Sequence, residues 1–259
     1  HSPFTIMRPY ILEESHWSEV KDRDYDLAIL PWGATEAHNY HLPYATDVIE
    51  GTAIAEEAGR IAWEGGGQII VLPTIPFGVN SGQADILLDM NLNPSTQFAI
   101  LKDLLTVLQR QGIRKFMILN SHGGNNWKSI LRELGLLFPD MFLGVCEWWT
   151  AVAAEDFFEH PGDHAGEMET SLILYLAPHL VLPKSEWGKG SEKKIQINAF
   201  REGWAWSERP WSKISEDTGV GNPSEAGREK GEVFFYAICE KIGNLFLEIA
   251  TANTDELYK

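Results

Sequence analysis

The sequence has little cysteine and no long apolar run, and each shortage excludes a class of protein. Only Cys146 and Cys239 occur among 259 residues, and both lie among apolar neighbours. We therefore expect no disulfide framework, and a reducing cytoplasm as the location. No apolar run reaches the roughly 18 residues that a membrane-spanning helix requires.

Basic residues are also scarce, with 21 Lys and Arg against 37 Asp and Glu and a net charge of −16. Nucleic acids and anionic membranes both bind positively charged surfaces. The charge balance therefore indicates that neither is a partner. Apolar residues make up 44% and charged residues 22% of the chain, as in ordinary globular proteins.

Apolar runs alternate with segments of helical periodicity along the chain. The predicted strands are 26–32, 68–76, 114–124 (running into a loop) and 141–149, and the predicted helices are 47–67, 93–113, 125–139, 166–178 and 223–252. This alternation predicts βαβ units, and so an α/β fold with a mostly parallel sheet covered on both faces. We expect one domain over 1–259, with 185–222 as an irregular segment at its rim.

Ionisable side chains follow two of the predicted strands directly. Glu36, His38 and Asp47 come after the first strand, and His122 comes after the third. In open α/β sheets, ligands bind beyond the carboxyl ends of the strands. We therefore expect these side chains to meet at one edge of the sheet.

Carboxylates and imidazoles are the ligands of dinuclear divalent metal sites, in which one ligand bridges the two ions. Asp47, near the start of a helix, is well placed to bridge, although it is equally suited to cap that helix. Further candidates, His164 and Glu169, lie in "DHAGEMETS". His41 is better interpreted as a hydrogen-bonding neighbour of the site than as a ligand. Any one of these residues alone would more often be surface decoration.

Five segments occur in an order that resembles the creatininase (creatinine amidohydrolase) family. They are "GATEAHNYHLPYATD", "PTIPFGVNSGQ", "LNSHGGNN", "HAGEMETS" and "GVGNPSEAGREKG". The most specific features are the E-x-H-x(8)-D spacing and the later N-x-H-G-G-N. The resemblance covers about 27–245, nearly the whole chain.

The resemblance implies a single α/β/α-layered domain with two divalent metal ions, which are zinc, manganese or iron in this family. Its members cleave C–N bonds of small amides, one branch trims a short peptide, and homo-oligomers, often hexamers, are common. Carried onto this chain, Glu36 and His122 would bind the first ion and His38 the second, with Asp47 bridging them.

The chain also departs from the creatinine-hydrolysing pattern. In those members the strand-end histidine is followed by Tyr and Glu, and the Glu binds the second metal. Here Gly123 and Gly124 stand at those positions, so Glu169 is our candidate for the missing carboxylate. The segment after Gly78 differs as well, which predicts a different substrate from creatinine.

These observations predict metal-assisted hydrolysis of a small cyclic amide or formamide. His164 is the expected proton donor to the leaving nitrogen, with Glu167 as an alternative. Two other functions stay open: a metal-binding protein without turnover, and a peptide-trimming member of the same family. A ligand-binding module, suggested by ten tryptophans, would explain none of the ordered Glu, His and Asp spacing.

Overall fold

The computed structural model describes residues 7–258, and at its centre lies a parallel β-sheet of four strands. The strands are β1 (Leu27–Trp32), β2 (Ile69–Val71), β3 (Lys115–Asn120) and β4 (Phe142–Glu147). They lie in the order β2-β1-β3-β4, and every neighbouring pair is parallel. The predicted parallel sheet is confirmed.

Helices cover both faces of this sheet. They are α1 (Trp17–Val20), α2 (Thr46–Glu64), α3 (Pro94–Arg110), α4 (Trp127–Leu137), α5 (Glu167–Leu176), α6 (Asn198–Arg201), α7 (Trp211–Ile214) and α8 (Arg228–Thr251). Successive residues of a strand point to opposite faces. Leu27 and Ile29 of β1 accordingly pack with α2, α5 and α8, whereas Ala28 and Leu30 pack with α3 and α4. This is the predicted α/β/α arrangement.

The second strand is shorter than predicted, since β2 ends at Val71 and not near residue 76. Pro73 and Pro76 lie in the remaining part, and a proline has no N–H to donate to a neighbouring strand. Beyond β2, only Leu72 and Ile75 still donate N–H groups to β1, at 2.8 and 3.0 Å.

The register of β1 and β3 brings their carboxyl ends together. Trp32 pairs with Asn120, and the N–H of Ser121 donates to the carbonyl of Trp32 at 2.9 Å. The segments that begin at Gly33 and at Ser121 therefore leave the sheet side by side. This arrangement places the two predicted ligand segments next to each other.

Helix α5 lies against α8 at very short range. A Cβ added to Gly231 of α8 would lie 1.9 Å from the carbonyl oxygen of Ser171 in α5. Glu167 and Lys230 also join the two helices through an ion pair of 2.6 Å. The position of α5, and with it Glu169, therefore depends on α8.

The segment 185–222 contains the short helices α6 and α7, an isolated bridge between Glu192 and Ser215, and a second bridge from Val220 to His164. Across residues 7–258, no helix combines the length and the apolar character needed to cross a membrane.

Candidate metal centre

Four of the predicted ligands converge beyond the carboxyl ends of β1 and β3. They are Glu36, His38, Asp47 and His122. All four are buried, with 6% or less of each residue exposed. Burying this many ionisable groups together is costly unless opposite charges compensate one another.

Asp47 lies between two histidines and directs one oxygen at each. Its Oδ1 is 2.9 Å from His38 Nε2, and its Oδ2 is 3.0 Å from His122 Nδ1. Asp47 is the second residue of α2, whereas Ala45 occupies the N-cap position. N-capping therefore does not explain this carboxylate, and its two oxygens face the two histidines separately, as the predicted bridging role needs.

Glu36 lies on the other side of the same histidines. Its Oε1 is 2.9 Å from His122 Nδ1 and 3.8 Å from His38 Nε2. Its Oε2 is buried without a hydrogen-bond partner among the described residues. A buried carboxylate oxygen without a partner is rare in proteins and indicates an absent ion or water.

Three histidines use their outer ring nitrogen on a backbone carbonyl. His38 Nδ1 contacts the carbonyl of Glu36 at 3.2 Å, and His122 Nε2 contacts that of Val79 at 2.8 Å. His164 Nε2 contacts the carbonyl of Ala37 at 2.8 Å. Because a carbonyl only accepts, each outer nitrogen carries a proton, and the inner nitrogen, which faces the carboxylates, is the one that can bind a metal ion once its own proton is lost. Metal-binding histidines have this arrangement.

The late segment "HAGEMETS" brings Glu169 and His164 to the cluster. Glu169 Oε1 lies 3.6 Å from His38 Nε2, and its other oxygen accepts the N–H of Ala165. His164 Nδ1 lies 3.8 Å from Glu36 Oε1, and its ring packs on that of His38 at 4.1 Å between centroids. Residues from three distant parts of the chain thus surround one point.

The electrostatics of these residues fit a divalent cation. Burial opposes ionisation of Asp47, but the charge on His38 and bonds from both histidines lower its pKa to about 2. Burial likewise disfavours charged histidines, yet the carboxylates raise the pKa of His38 and His122 well above the usual value. The buried carboxylates are therefore stabilised by positive charge. Here protons on the histidines supply that charge, and bound metal ions can replace those protons.

The structure does not bring Glu167 to the cluster. Its carboxylate is fully buried, bonded to Lys230 Nζ at 2.6 Å and to the N–H of His160 at 2.7 Å. Glu167 therefore joins α5 to α8 and to a neighbouring loop. It has no contact with the cavity beside the metal centre.

His41 lies beside the centre and outside every candidate ligand group. Its Nε2 is 2.9 Å from the hydroxyl of Thr170, and its ring stacks on Trp187 at 4.8 Å. Burial lowers the pKa of His41 to about 4. Its contacts attach the ligand loop to the rim segment.

Gly124, two residues after His122, lies where the backbone leaves no room for a side chain. A Cβ at this position would lie 2.3 Å from the carbonyl oxygen of Val79 and 2.5 Å from His122 Nε2. The contact that orients His122 therefore occupies the space that a side chain at 124 would need. A carboxylate side chain at position 124 therefore does not fit the path of the loop around Val79.

A cavity of about 530 Å³ opens beside the cluster. Glu36, Asp47, His122, His164 and Glu169 line its inner part. Trp148 and Trp149, which follow β4, also line it. Trp148 is nevertheless buried and bonded through its indole N–H to Ser121, so it also serves the core.

Sequence reasoning missed Asp89, which holds the ligand loop from outside. Its Oδ1 accepts the N–H of Ala37 at 2.6 Å, and His164 donates to the carbonyl of the same residue. The residue between Glu36 and His38 is therefore held at both its N–H and its C=O group. No motif or periodicity marks Asp89 in the sequence.

We expect replacement of Asp89 by alanine to weaken metal binding about 10-fold or more, because outer partners of ligands contribute on that scale. Asparagine keeps an oxygen that accepts the Ala37 N–H, so Asp89→Asn should retain most of the affinity. Competition with a chelator of known affinity measures both variants. Equal losses would show that the carboxylate charge, and not its hydrogen bond, is what matters.

Comparison with known proteins agrees with this geometry. The family model described as "Creatininase: Creatinine amidohydrolase" matches residues 13–246. A solved structure from Bacteroides fragilis NCTC 9343, provisionally described as a creatinine amidohydrolase, is 41% identical with a TM-score of 0.90. That match covers 98% of this chain and all of the other.

Two characterised relatives differ in their activity. A creatinine amidohydrolase from Pseudomonas putida is 29% identical over 59% of this chain, and the match spans 65% of that enzyme's own length. A mycofactocin precursor peptide peptidase from Mycobacterium tuberculosis (strain CDC 1551 / Oshkosh) is 26% identical over 82% of this chain and 81% of its own. Since the family model matches most of the residues, the chain belongs to the creatininase family of hydrolases.

Proposed function

We propose that this protein is a dinuclear-metal amidohydrolase that cleaves a C–N bond of a small cyclic amide or formamide other than creatinine. The observation that carries this proposal is the pair of contacts made by Asp47. Its two oxygens approach two histidines whose outer nitrogens are both bonded to backbone carbonyls. A single carboxylate between two oriented imidazoles suits a pair of ions that share it as a ligand.

In this proposal, Glu36 and His122 hold one ion, His38 and Glu169 hold the other, and Asp47 binds both. When bound, the two cations supply a hydroxide nucleophile at neutral pH and polarise the carbonyl of the substrate. Zinc, manganese and iron all suit this mixture of imidazoles and carboxylates. Glu36 and Asp47 are more deeply buried than Glu169.

His164 is the proposed proton donor. Its Nε2–H is bonded to the carbonyl of Ala37, so Nδ1 is the nitrogen that lies toward Glu36. The ring also lines the cavity. In its protonated form, His164 can deliver the Nδ1 proton to a leaving nitrogen held beside the cluster.

A peptide-trimming function is the second candidate, and the open edge of β4 favours it. A groove of about 760 Å³ follows Val145, Cys146 and Glu147 along this edge. Gly123 and Asn126 line both this groove and the metal cavity. An extended peptide pairing with β4 could therefore place one end in the cavity. The similarity to a peptide peptidase supports this alternative.

The remaining expectations stay predictions. They are the cytoplasmic location, the homo-oligomer with a hexamer as its typical form, and the organisation as a single domain over 1–259. A metal-binding protein without turnover also remains an alternative. Metal content should survive the removal of His164 in both cases, whereas loss of turnover can be seen only if the protein is an enzyme.

The test combines elemental analysis with assays of lactams, formamides, cyclic ureas and short peptides. We expect about two divalent ions per chain, and turnover of a non-peptide amide. His164→Ala should keep the metal and lose turnover by about 100-fold or more. His179→Ala is the matched control, because His179 is exposed and lies outside the cavity.

Turnover of peptides alone would favour the second candidate. Wild-type protein that binds two ions but turns over none of these compounds would favour the metal-binding alternative. Protein without metal, even after reconstitution, would contradict the proposed function.

A further inference from the structure

Arg209, in the irregular rim segment, lines the metal cavity. We propose that Arg209 binds a carboxylate group of the substrate, so that the substrate is an amide bearing a free carboxylate. This inference rests on the proposed function, because it concerns the substrate of the same centre. Three features of Arg209 carry it: its location, its fixed orientation and its unused donors.

Its location is close to the proposed proton donor. The guanidinium carbon lies 4.4 Å from the centroid of the Trp211 ring. Trp211 in turn meets His164 edge to face at 5.2 Å, and its indole N–H donates to the carbonyl of Thr218 at 2.7 Å. One buried ring therefore separates Arg209 from His164. A small substrate can reach both the metal centre and the guanidinium.

Its orientation is fixed from two sides. Stacking on Trp211 sets the plane of the guanidinium. Within that plane, Nη1 is bonded to Asp163 Oδ2 at 2.6 Å. Because the group is already held in place, binding an anion would cost little further side-chain entropy.

Its donors are only partly used. A guanidinium has five N–H groups, and within residues 7–258 only Nη1 of Arg209 has an acceptor. Nε and Nη2 remain available, and 45% of the side chain is exposed. Two in-plane donors match the two oxygens of a carboxylate, which is the ligand that arginine binds best together with phosphate.

Two acidic residues beside Arg209 make the site selective. Asp163 occupies Nη1, and Glu208 accepts a hydrogen bond from the hydroxyl of Ser81 at 3.0 Å. Arg209 is the only Lys or Arg lining this cavity within the described residues. A substrate carboxylate is repelled by both acids unless it reaches the guanidinium. The distance from the metal centre to Arg209 should therefore select the length of the substrate.

The experiment measures binding of matched hydroxamates to the metal-loaded enzyme by calorimetry. One series consists of the monohydroxamates of malonic, succinic, glutaric and adipic acid. The other series has the free carboxylate of each replaced by a carboxamide. The hydroxamate group binds the metal centre in both series, so the difference between matched compounds reports the carboxylate alone.

We expect at least one carboxylate to bind about 10-fold or more tightly than its carboxamide, as for a charged hydrogen-bonded pair. Arg209→Gln should abolish this preference and leave the affinity for the carboxamide unchanged. Asp163→Asn should increase the preference, because it removes the competing carboxylate from Nη1. Arg228→Gln is the matched control, since Arg228 also pairs with an acid and lies over an aromatic ring but is outside the cavity.

Equal affinities of every matched pair for the wild-type enzyme would overturn the proposal, as would a preference that survives in Arg209→Gln. Failure of both series to bind would instead indicate that no accessible metal centre exists. That result would contradict the proposed function itself, whereas equal binding of the matched compounds would contradict only the role of Arg209.

Discussion

Asp47→Ala is expected to remove both metal ions and to reduce turnover by more than about 100-fold. Loss of a residue that only hydrogen-bonds to a metal ligand already reduces activity by up to roughly 100-fold, and loss of a ligand should cost more. The reason is that each Asp47 oxygen faces a different histidine, so one substitution removes a ligand from both ions. Elemental analysis and steady-state kinetics on the same preparation measure the two effects. Retention of one ion would show that Asp47 serves a single site and does not bridge.

Asp47→Asn is the control that keeps the size of the side chain, and its stability should depend on pH in the metal-free protein. Asp47 has a pKa lowered to about 2, so its ionised form stabilises the fold above its ordinary value of 3.8 and loses this effect as the pH falls through 2. His38 has a raised pKa, so its contribution is complete below 6.5 and declines at higher pH. The difference in unfolding free energy between wild type and Asp47→Asn should therefore be largest between pH 3.8 and 6.5.

Gly124→Ala should destabilise the protein by about 1–3 kcal/mol, as overpacking does, and should also weaken metal binding. The added Cβ would collide with the carbonyl of Val79 and with His122. Either the loop around Val79 moves or the imidazole turns away from the cluster. Thermal unfolding and metal titration detect the two consequences separately.

Gly123→Ala is the matched control for stability in the same loop, because a Cβ at Gly123 meets no atom within 4 Å. Its free energy of unfolding should stay close to that of the wild type. Equal destabilisation by the two alanines would mean that both positions need glycine for its backbone flexibility. The contact between Val79 and His122 would then not be the reason for glycine at position 124. Gly124→Glu should likewise fail to add a metal ligand, because its Cβ meets the same two groups.

The sheet and the convergence of Glu36, His38, Asp47 and His122 could be predicted because both depend on local patterns. Four apolar runs alternate with helical segments, and parallel strands bring their carboxyl ends to one edge. The metal-ligand roles themselves remain predictions until metal is measured. What the structure adds is that the side chains meet at hydrogen-bonding distances.

Helical geometry explains why only one of the two carboxylates in "HAGEMETS" joins the cluster. Residues two positions apart on an α-helix point roughly 200° apart. Glu169 faces His38, so Glu167 must face away, toward Lys230. Sequence reasoning alone could have excluded one of the pair, but not decided which.

Val79 and Asp89 could not be found from the sequence for a different reason. Both act from the irregular stretch between β2 and α3, through the carbonyl of Val79 and through a bond to the Ala37 N–H. The path of such a stretch depends on tertiary contacts and leaves no periodic signal. Arg209 could not be found from the sequence either, because only the folded rim segment places it beside the cavity.

The close packing of α5 on α8 bears on how metal preference could diverge among related chains. Glu169 is held by a helix whose position depends on the contact between Gly231 and Ser171, far along the chain from Asp47. In the proposed dinuclear centre, a substitution in α8 would thus alter the spacing of the two ions without touching any ligand. Selection for activity with a different metal should consequently enrich changes along this helix–helix contact, as well as around the cavity itself.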